Sequence, residues 1–93
     1  MANEKLLDVE IVTPQKTVFT GKAQSVNVPG SLAPFQVLFN HAAIVSSLDN
    51  GTIRIVDSNG KNIFFATGKG FAEVNKNLVS ILVESALEET VAE

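Results

Sequence analysis

Turn-forming residues interrupt this chain about every 8 to 12 residues, and this spacing limits its possible folds more than any other feature. Between the turns the chain is rich in β-branched residues, because Val, Ile and Thr make up 24 of the 93 residues. These residue types favour extended strands, and no helical repeat of apolar residues lies between the turns. The sequence therefore predicts a β protein and excludes folds that alternate parallel strands with helices.

Two regions show the predicted strands most clearly. Apolar and polar residues alternate over residues 7–11, as in a strand with one buried and one solvated face. Residues 52–56 and 61–67 flank a turn that contains Asn59 and Gly60, a pair that readily adopts the positive φ angles of a tight hairpin. The other predicted strands are 17–20, 23–28, 35–39, 44–48, 70–74 and 78–83.

The number and spacing of these strands predict the fold class. About nine to ten short strands that pair with their neighbours form an all-β, antiparallel β-sandwich or flattened barrel. No linker or repeat breaks the strand-bearing part, so residues 1–83 are expected to form one domain. Residues 84–93 contain four Glu residues and no basic residue, which predicts a short acidic C-terminal tail that is helical or disordered.

The residue content excludes several kinds of active site. The chain has no Cys, so disulfides, thiolate metal sites and Cys nucleophiles are impossible. His41 is the only His, whereas a catalytic zinc site usually takes several, so we expect neither a metal nor another cofactor. The nucleophile motif G-x-S-x-G is also absent, which argues against a Ser hydrolase. We therefore interpret His41 as a structural or interface residue.

Charge and hydropathy exclude two further classes. The formal net charge is −3, and no basic cluster interleaved with aromatic residues exists, which argues against nucleic-acid binding. The longest apolar runs, such as residues 42–45, are far shorter than the roughly 20 residues that cross a bilayer. Charged residues occupy the place where a signal peptide has its apolar core, which predicts a cytoplasmic protein.

Two short segments contain residues that ordinary strands and loops do not explain. Gly68 and Gly70 lack the rest of a phosphate-binding loop pattern, so we interpret them as a bulge or a close approach of two backbones. Leu32, Ala33 and Pro34 lie in a predicted loop, where apolar residues are unexpected unless another molecule covers them. The loop is therefore predicted to contact another protein.

An ordered series of motifs resembles the N-terminal β domain of the epsilon subunit of F-type ATP synthases. The series covers nearly the whole chain, and its order makes it specific although each motif alone is weak. The motifs are residues 9–14 (VEIVTP), 18–21 (VFTG), 26–30 (VNVPG), 35–41 (FQVLFNH), 51–55 (GTIRI), 68–74 (GKGFAEV) and 77–82 (NLVSIL).

The resemblance implies a flattened sandwich of about ten strands at the foot of the central rotor stalk. The subunit would be non-catalytic and would bridge the gamma subunit and the polar loops of the c-ring, so that ion-driven rotation is coupled to ATP synthesis. It would lie peripherally at the cytoplasmic face of the membrane, without inserting into it. The implied ring contacts are Ser31, Leu32, Ala33, Pro34, Asn40 and His41. The implied gamma contacts are Ala42, Ala43, Gly68, Lys69, Gly70 and Phe71.

The chain departs from the family pattern in two places. After Gly30 the family usually reads G-x-F-G-I-L-P-x-H, and Ala33, Gln36 and Phe39 replace its two glycines and its proline. Most relatives continue into two C-terminal helices that can extend along gamma, restrain ATP hydrolysis and in some cases bind ATP. This chain stops at Glu93, so we expect either a naturally short epsilon subunit or a piece that ends after the β domain, without those two activities.

Two other functions remain open from the residues alone. A small β-sandwich can serve as a binding module, either for an apolar ligand held in a cavity between its sheets or for another protein. A hydrolase would instead place a buried Ser beside His41. A cavity and the surroundings of His41 are the features that distinguish these alternatives.

Overall fold

The structure is a computed structural model that describes residues 5–89. Among these residues there is no helix with the length and apolar character that crossing a bilayer requires. The described part contains nine strands: β1 (Leu7–Val12), β2 (Thr17–Val28), β3 (Phe35–Leu38), β4 (Ile44–Leu48), β5 (Gly51–Asp57), β6 (Asn62–Thr67), β7 (Gly70–Asn75), β8 (Leu78–Val83) and β9 (Ala86–Glu89).

The predicted hairpin between β5 and β6 is confirmed. One carboxylate oxygen of Asp57 accepts hydrogen bonds from the backbone amides of Asn59 (2.8 Å) and Lys61 (2.9 Å). Gly60 takes a positive φ of 84°, whereas Asn59 does not take the positive φ that was predicted for the pair. The turn is thus stabilised by its own side chain and backbone, which is why a few neighbouring residues suffice to predict it.

All nine strands of residues 5–89 belong to one sheet that folds into a sandwich. The strand order is β4-β7-β8-β1-β2-β5-β6-β9, and β3 pairs with β2 beside this path. The long strand β2 joins the two halves: its first part pairs with β1, and its second part pairs with β3 and β5. A register shift between Ala23 and Ser25 marks the change of partner. Such irregularities bend a strand, so that one sheet can fold over and pack its two halves face to face.

The core lies between the two halves and is built from the alternate residues of each strand. Its largest member, Phe65, is 1% exposed, and its ring meets the ring of Phe19 edge-on at a centroid distance of 5.7 Å. Apolar burial of this kind is the main stabilising contribution in a small domain. The buried apolar residues are Leu7, Val9, Ile11, Ala23, Val26, Val28, Val37, Leu48, Ile53, Ile55, Phe65, Ala72, Val74, Val79, Ile81 and Val83.

Two predictions about strand pairing need correction. First, β1 and β8 pair in parallel, with Val9 opposite Val79, although only antiparallel pairs were expected. The expectation came from strands joined by short turns, whereas these two strands come from opposite ends of the domain and no turn restricts their direction. Second, the predicted strands 17–20 and 23–28 are one strand, because Gly21 continues the ladder opposite Val9 instead of ending it.

The prediction of a helical or disordered tail after Val83 is wrong for Ala86–Glu89. These residues form β9, an antiparallel edge strand in which Ala86 lies opposite Thr67 and Glu89 lies opposite Phe64. This pairing gives hydrogen-bond partners to the backbone groups along the outer edge of β6. The Glu side chains of β9 remain exposed, and charged side chains on an edge strand oppose its pairing with another chain. Residues 90–93 of the predicted tail lie outside the described part of the chain.

Candidate functional site

The loop between β2 and β3 has a firmly held base. The backbone amide of Ser31 donates to the carbonyl oxygen of Ser47 at 2.9 Å, and the amide of Asp49 donates to the carbonyl oxygen of Pro29 at 2.9 Å. The hydroxyl of Ser31 also donates to a carboxylate oxygen of Asp49 at 3.2 Å. The loop is therefore joined to the end of β4, which is an element of the opposite half of the sandwich.

The tip of this loop is apolar and fully exposed. Leu32 has a relative exposure of 104%, and Ala33 and Pro34 are exposed beside it. A Leu side chain in this position has no contact that offsets its hydration within residues 5–89. The combination of a fixed base and an uncovered apolar tip is typical of a protein contact.

A second loop, residues 39–43, follows β3 and carries His41. The imidazole Nδ1 lies 2.6 Å from the carbonyl oxygen of Ala42, which can only accept, so Nδ1 carries the proton. The ring packs beside Phe35, with centroids 6.4 Å apart. Phe35 also lies close to the first loop, because a Cβ at Gly30 would be 2.9 Å from its ring. Phe35 thus connects the two loops.

The predicted gamma contacts fall at two separate places. Strands β4 and β7 run antiparallel, so that Leu48 lies opposite Gly70 and Ile44 lies opposite Val74. Ala42 and Ala43 precede β4 and are therefore at the far end of this pair from residues 68–71. They instead adjoin the predicted ring contacts Asn40 and His41 within the second loop.

The segment 68–71 lies beside one of the predicted ring contacts. Gly68 and Lys69 pair with the chain after β8, through hydrogen bonds from the Gly68 amide to the Ser85 carbonyl (3.0 Å) and from the Glu84 amide to the Lys69 carbonyl (2.9 Å). Ser31 reaches the same region through its hydrogen bond to Ser47, which lies opposite Phe71. The structure therefore brings Ser31 and residues 69–71 together.

An apolar row, Phe71, Leu82 and Val12, crosses the outer surface of the neighbouring strands β7, β8 and β1 and ends at Ser47 of β4. Ser47 lies opposite Phe71, Phe71 lies opposite Leu82, and Leu82 lies opposite Val12. Phe71 and Leu82 are 58% and 54% exposed, which is unusual for two adjacent large apolar side chains. The row forms the floor of an open groove on the surface of the sheet.

The groove has a volume of about 650 Å³ and opens to solvent instead of being enclosed between the two halves of the sandwich. Its apolar floor is bordered by one basic and two acidic side chains, Lys69, Asp49 and Glu84. Its other lining residues are Val12, Thr13, Pro14, Ser31, Ser47, Leu48, Gly70, Phe71, Leu82 and Val83. An apolar side chain of a partner fits such a floor. The charged border favours partners that carry complementary charges beside that side chain.

Sequence reasoning named only four of the thirteen residues that line this groove, and among those it missed are the apolar residues Leu82 and Val12. Leu82 lies on the exposed face of β8, because Val79, Ile81 and Val83 occupy the buried face. This alternation is visible in the sequence and is a signal that could have identified Leu82. Val12 could not be found in this way, because its place beside Leu82 depends on the parallel pairing of β1 and β8.

The comparisons with known proteins match one and the same domain over most of the chain. The family model described as "ATP synthase, Delta/Epsilon chain, beta-sandwich domain" matches residues 6–89. The chain is 42% identical over 80 residues to the ATP synthase epsilon chain of Desulfosudis oleivorans, an alignment that covers 86% of this chain and 60% of the relative. It is 40% identical over 81 residues to the ATP synthase epsilon chain of Magnetococcus marinus, covering 87% of this chain and 58% of the relative. The chain thus spans about 60% of the length of these curated relatives.

Two solved structures share the fold. A chain of the Euglena gracilis mitochondrial ATP synthase, from an OSCP/F1/c-ring assembly, superposes with a TM-score of 0.86 at 18% identity and covers 95% of this chain and 56% of that one. A chain of the central stalk and c-ring of the Tetrahymena thermophila mitochondrial ATP synthase gives a TM-score of 0.72 at 19% identity, covering 92% and 69%. At these identities the likeness establishes the fold.

Proposed function

Because the chain belongs to the family of ATP synthase delta/epsilon chains, through their beta-sandwich domain, we propose that it is a non-catalytic subunit of the central rotor stalk. In this role it bridges the gamma subunit and the c-ring, and it transmits ion-driven rotation to ATP synthesis. It lies peripherally at the cytoplasmic face of the membrane. The observation that carries the proposal is the fully exposed Leu32 tip on a loop whose base is hydrogen-bonded to β4.

A rotor subunit needs contacts that do not slip under torque. The continuous sheet of residues 5–89 supplies a rigid body, since its strands are joined by an unbroken series of hydrogen-bonded ladders. A rigid body with a preformed apolar surface loses little conformational entropy when it docks. Both the tip and the groove have this character, which supports contacts with two partners.

We assign the two surfaces, which meet at Ser31, to different partners. The tip, with Ser31, Leu32, Ala33 and Pro34, is proposed to contact the polar loops of the ring, together with Asn40 and His41 of the second loop. The groove is proposed to contact gamma through Lys69, Gly70 and Phe71, together with the adjoining Gly68. Ala42 and Ala43, at the other end of β4, are proposed as a second and separate gamma contact. Leu82 and Val12 extend the proposed gamma surface, because they continue the apolar row.

The proposal is tested by binding of the purified chain to purified gamma, followed by binding of the resulting pair to the isolated c-ring. We expect a stable complex with gamma and retention of that complex by the ring. Isothermal titration measures the first step, and co-sedimentation with the ring in detergent measures the second. A chain that binds neither gamma nor the ring would overturn the proposal.

The substitution Phe71→Ala is expected to weaken binding to gamma about tenfold, because it removes a half-exposed aromatic side chain from the floor of the groove. The measurement is the same titration with gamma. The control is Leu87→Ala on β9, which removes an apolar side chain of 72% exposure that does not line the groove. Equal affinities for the two variants would show that the groove does not contact gamma.

A further inference from the structure

The turn between β7 and β8 has an unusual backbone. Asn75 and Leu78 form the last pair of the ladder, so Lys76 and Asn77 are the two residues of the turn. Both have positive φ, 51° for Lys76 and 65° for Asn77. A two-residue hairpin turn requires these angles to match the twist of the strands that it joins. Asn tolerates this conformation better than most residues, and its side chain remains available for a contact outside the turn.

The side chain of Asn77 makes two hydrogen bonds with one residue of the second loop. The backbone amide of Asn40 donates to Asn77 Oδ1 at 2.6 Å, and Asn77 Nδ2 donates to Asn40 Oδ1 at 3.2 Å. Asn40 also has a positive φ, of 65°. Two Asn residues that are 37 positions apart in the chain thus bind each other reciprocally. We refer to this pair as the Asn clamp.

The clamp has a rigid support on the side of Asn77. The carbonyl oxygen of Asn77 accepts a hydrogen bond from the backbone amide of Asp8 at 2.8 Å, at the point where β1 and β8 begin to pair. The turn is therefore held by the parallel ladder at the centre of the sheet. A residue fixed in this way can hold a neighbouring loop in one position.

The loop that the clamp holds crosses from one half of the sandwich to the other. Residues 39–43 lead from β3, which pairs with β2, to β4, which pairs with β7 on the other side of the sandwich. Two other hydrogen bonds of this loop are local, from the His41 amide to the Leu38 carbonyl and between the His41 ring and the Ala42 carbonyl. The clamp, in contrast, joins the loop to a distant element, and so it can fix the position of the whole loop.

We propose that Asn77 is a positioning residue, which holds Asn40 and His41 in place through the clamp as a preformed surface for the ring. The inference rests on the proposed function for its purpose, since the ring is the proposed partner of these residues. A preformed loop binds more tightly than a mobile one, because less conformational entropy is lost on binding. The gain in affinity arises through Asn40 and His41, without any contact of Asn77 with the partner.

The test removes the clamp without disturbing the turn. Asn77→Gly deletes both side-chain hydrogen bonds and keeps the positive φ at no steric cost. Lys76→Gly is the matched control, because it makes the same change of residue type at the neighbouring positive-φ position and leaves the clamp intact. Asn77→Asp is a second variant, which keeps an oxygen acceptor for the Asn40 amide and loses the Nδ2 donor.

The first measurement is hydrogen exchange of the Asn40 amide by NMR in the free chain. We expect about tenfold faster exchange in Asn77→Gly than in wild type, wild-type exchange in Lys76→Gly, and near wild-type exchange in Asn77→Asp. An unchanged rate in Asn77→Gly would overturn the clamp. Equal acceleration in Lys76→Gly would also overturn it, because the effect would then belong to the turn.

The second measurement is binding to the isolated c-ring, where Asn77→Gly is expected to bind about three- to tenfold more weakly than wild type and Lys76→Gly equally well. Wild-type affinity in Asn77→Gly, together with accelerated exchange, would overturn the positioning role. Absence of ring binding by wild type would overturn the proposed function and also the purpose assigned to the clamp. The exchange rates would still decide whether the clamp holds the loop.

Discussion

Replacing Gly70 with Val is expected to lower the free energy of unfolding by about 3 kcal/mol. Gly70 begins β7 between two strands, opposite Leu48 of β4 and Val83 of β8. A Cβ at this position would overlap the carbonyl oxygen of Leu82 and lie 2.7 Å from the Cα of Val83. Both atoms belong to the backbone of β8, so relief of the overlap has to displace the strand and weaken its ladders.

Urea denaturation followed by circular dichroism measures this effect, and Gly68→Ala is the control for adding a Cβ elsewhere in the same segment. The nearest atoms to a Cβ at position 68 are Ser85 Oγ at 3.1 Å, which ends an exposed side chain that can rotate, and Glu84 Cβ at 3.4 Å, which is an ordinary van der Waals contact. We therefore expect a loss of less than about 1 kcal/mol for the control. An unchanged midpoint for Gly70→Val would contradict the close approach of β7 and β8.

Replacing Leu32 with Asp is expected to leave the fold intact and to weaken binding to the c-ring about 100-fold or more. Leu32 is fully exposed, so its replacement removes no contact from the core. If the tip is covered by the ring, the new carboxylate loses hydration and the apolar contact of Leu32 is lost, and both changes oppose docking. Co-sedimentation with the isolated ring measures the affinity, and urea denaturation verifies the stability.

The control for this experiment is Leu87→Asp, which introduces the same charge at an exposed apolar position on β9. It is expected to bind the ring as well as wild type does, because β9 pairs with β6 and Leu87 does not line the groove that Ser31 borders. Wild-type affinity in Leu32→Asp would remove the tip from the ring interface. An equal loss in both variants would attribute the effect to net charge.

Local patterns were sufficient to predict most strands and the tip of the first loop. The alternation of residues 7–11 placed Leu7, Val9 and Ile11 on one face, and all three are at most 2% exposed. The turn at Gly60 and the exposure of Leu32 were also predicted, because each depends on a few neighbouring residues. Side-chain period and turn chemistry are local properties, so they can be recognised in one sequence.

The candidate site was predicted only in part. The tip and the glycine segment were found because their residue types are unusual for a loop and for a strand. The groove needed the contact of Leu82 with Val12 and Phe71, and the clamp needed the contact of Asn77 with Asn40. Each of these contacts joins residues of different strands or loops, and no local pattern predicts such a neighbour.

The sequence alone determined the β class, the position of most turns and the faces of the amphipathic strands. Only the tertiary structure decided that β1 and β8 pair in parallel, that 17–28 is one strand, and that Ala86–Glu89 pairs with β6. The physical reason is that backbone N–H and C=O groups are alike in every strand, so a ladder can form at any free edge. Which edges meet depends on how both halves of the sandwich bury their apolar faces together, and this is a property of the whole domain.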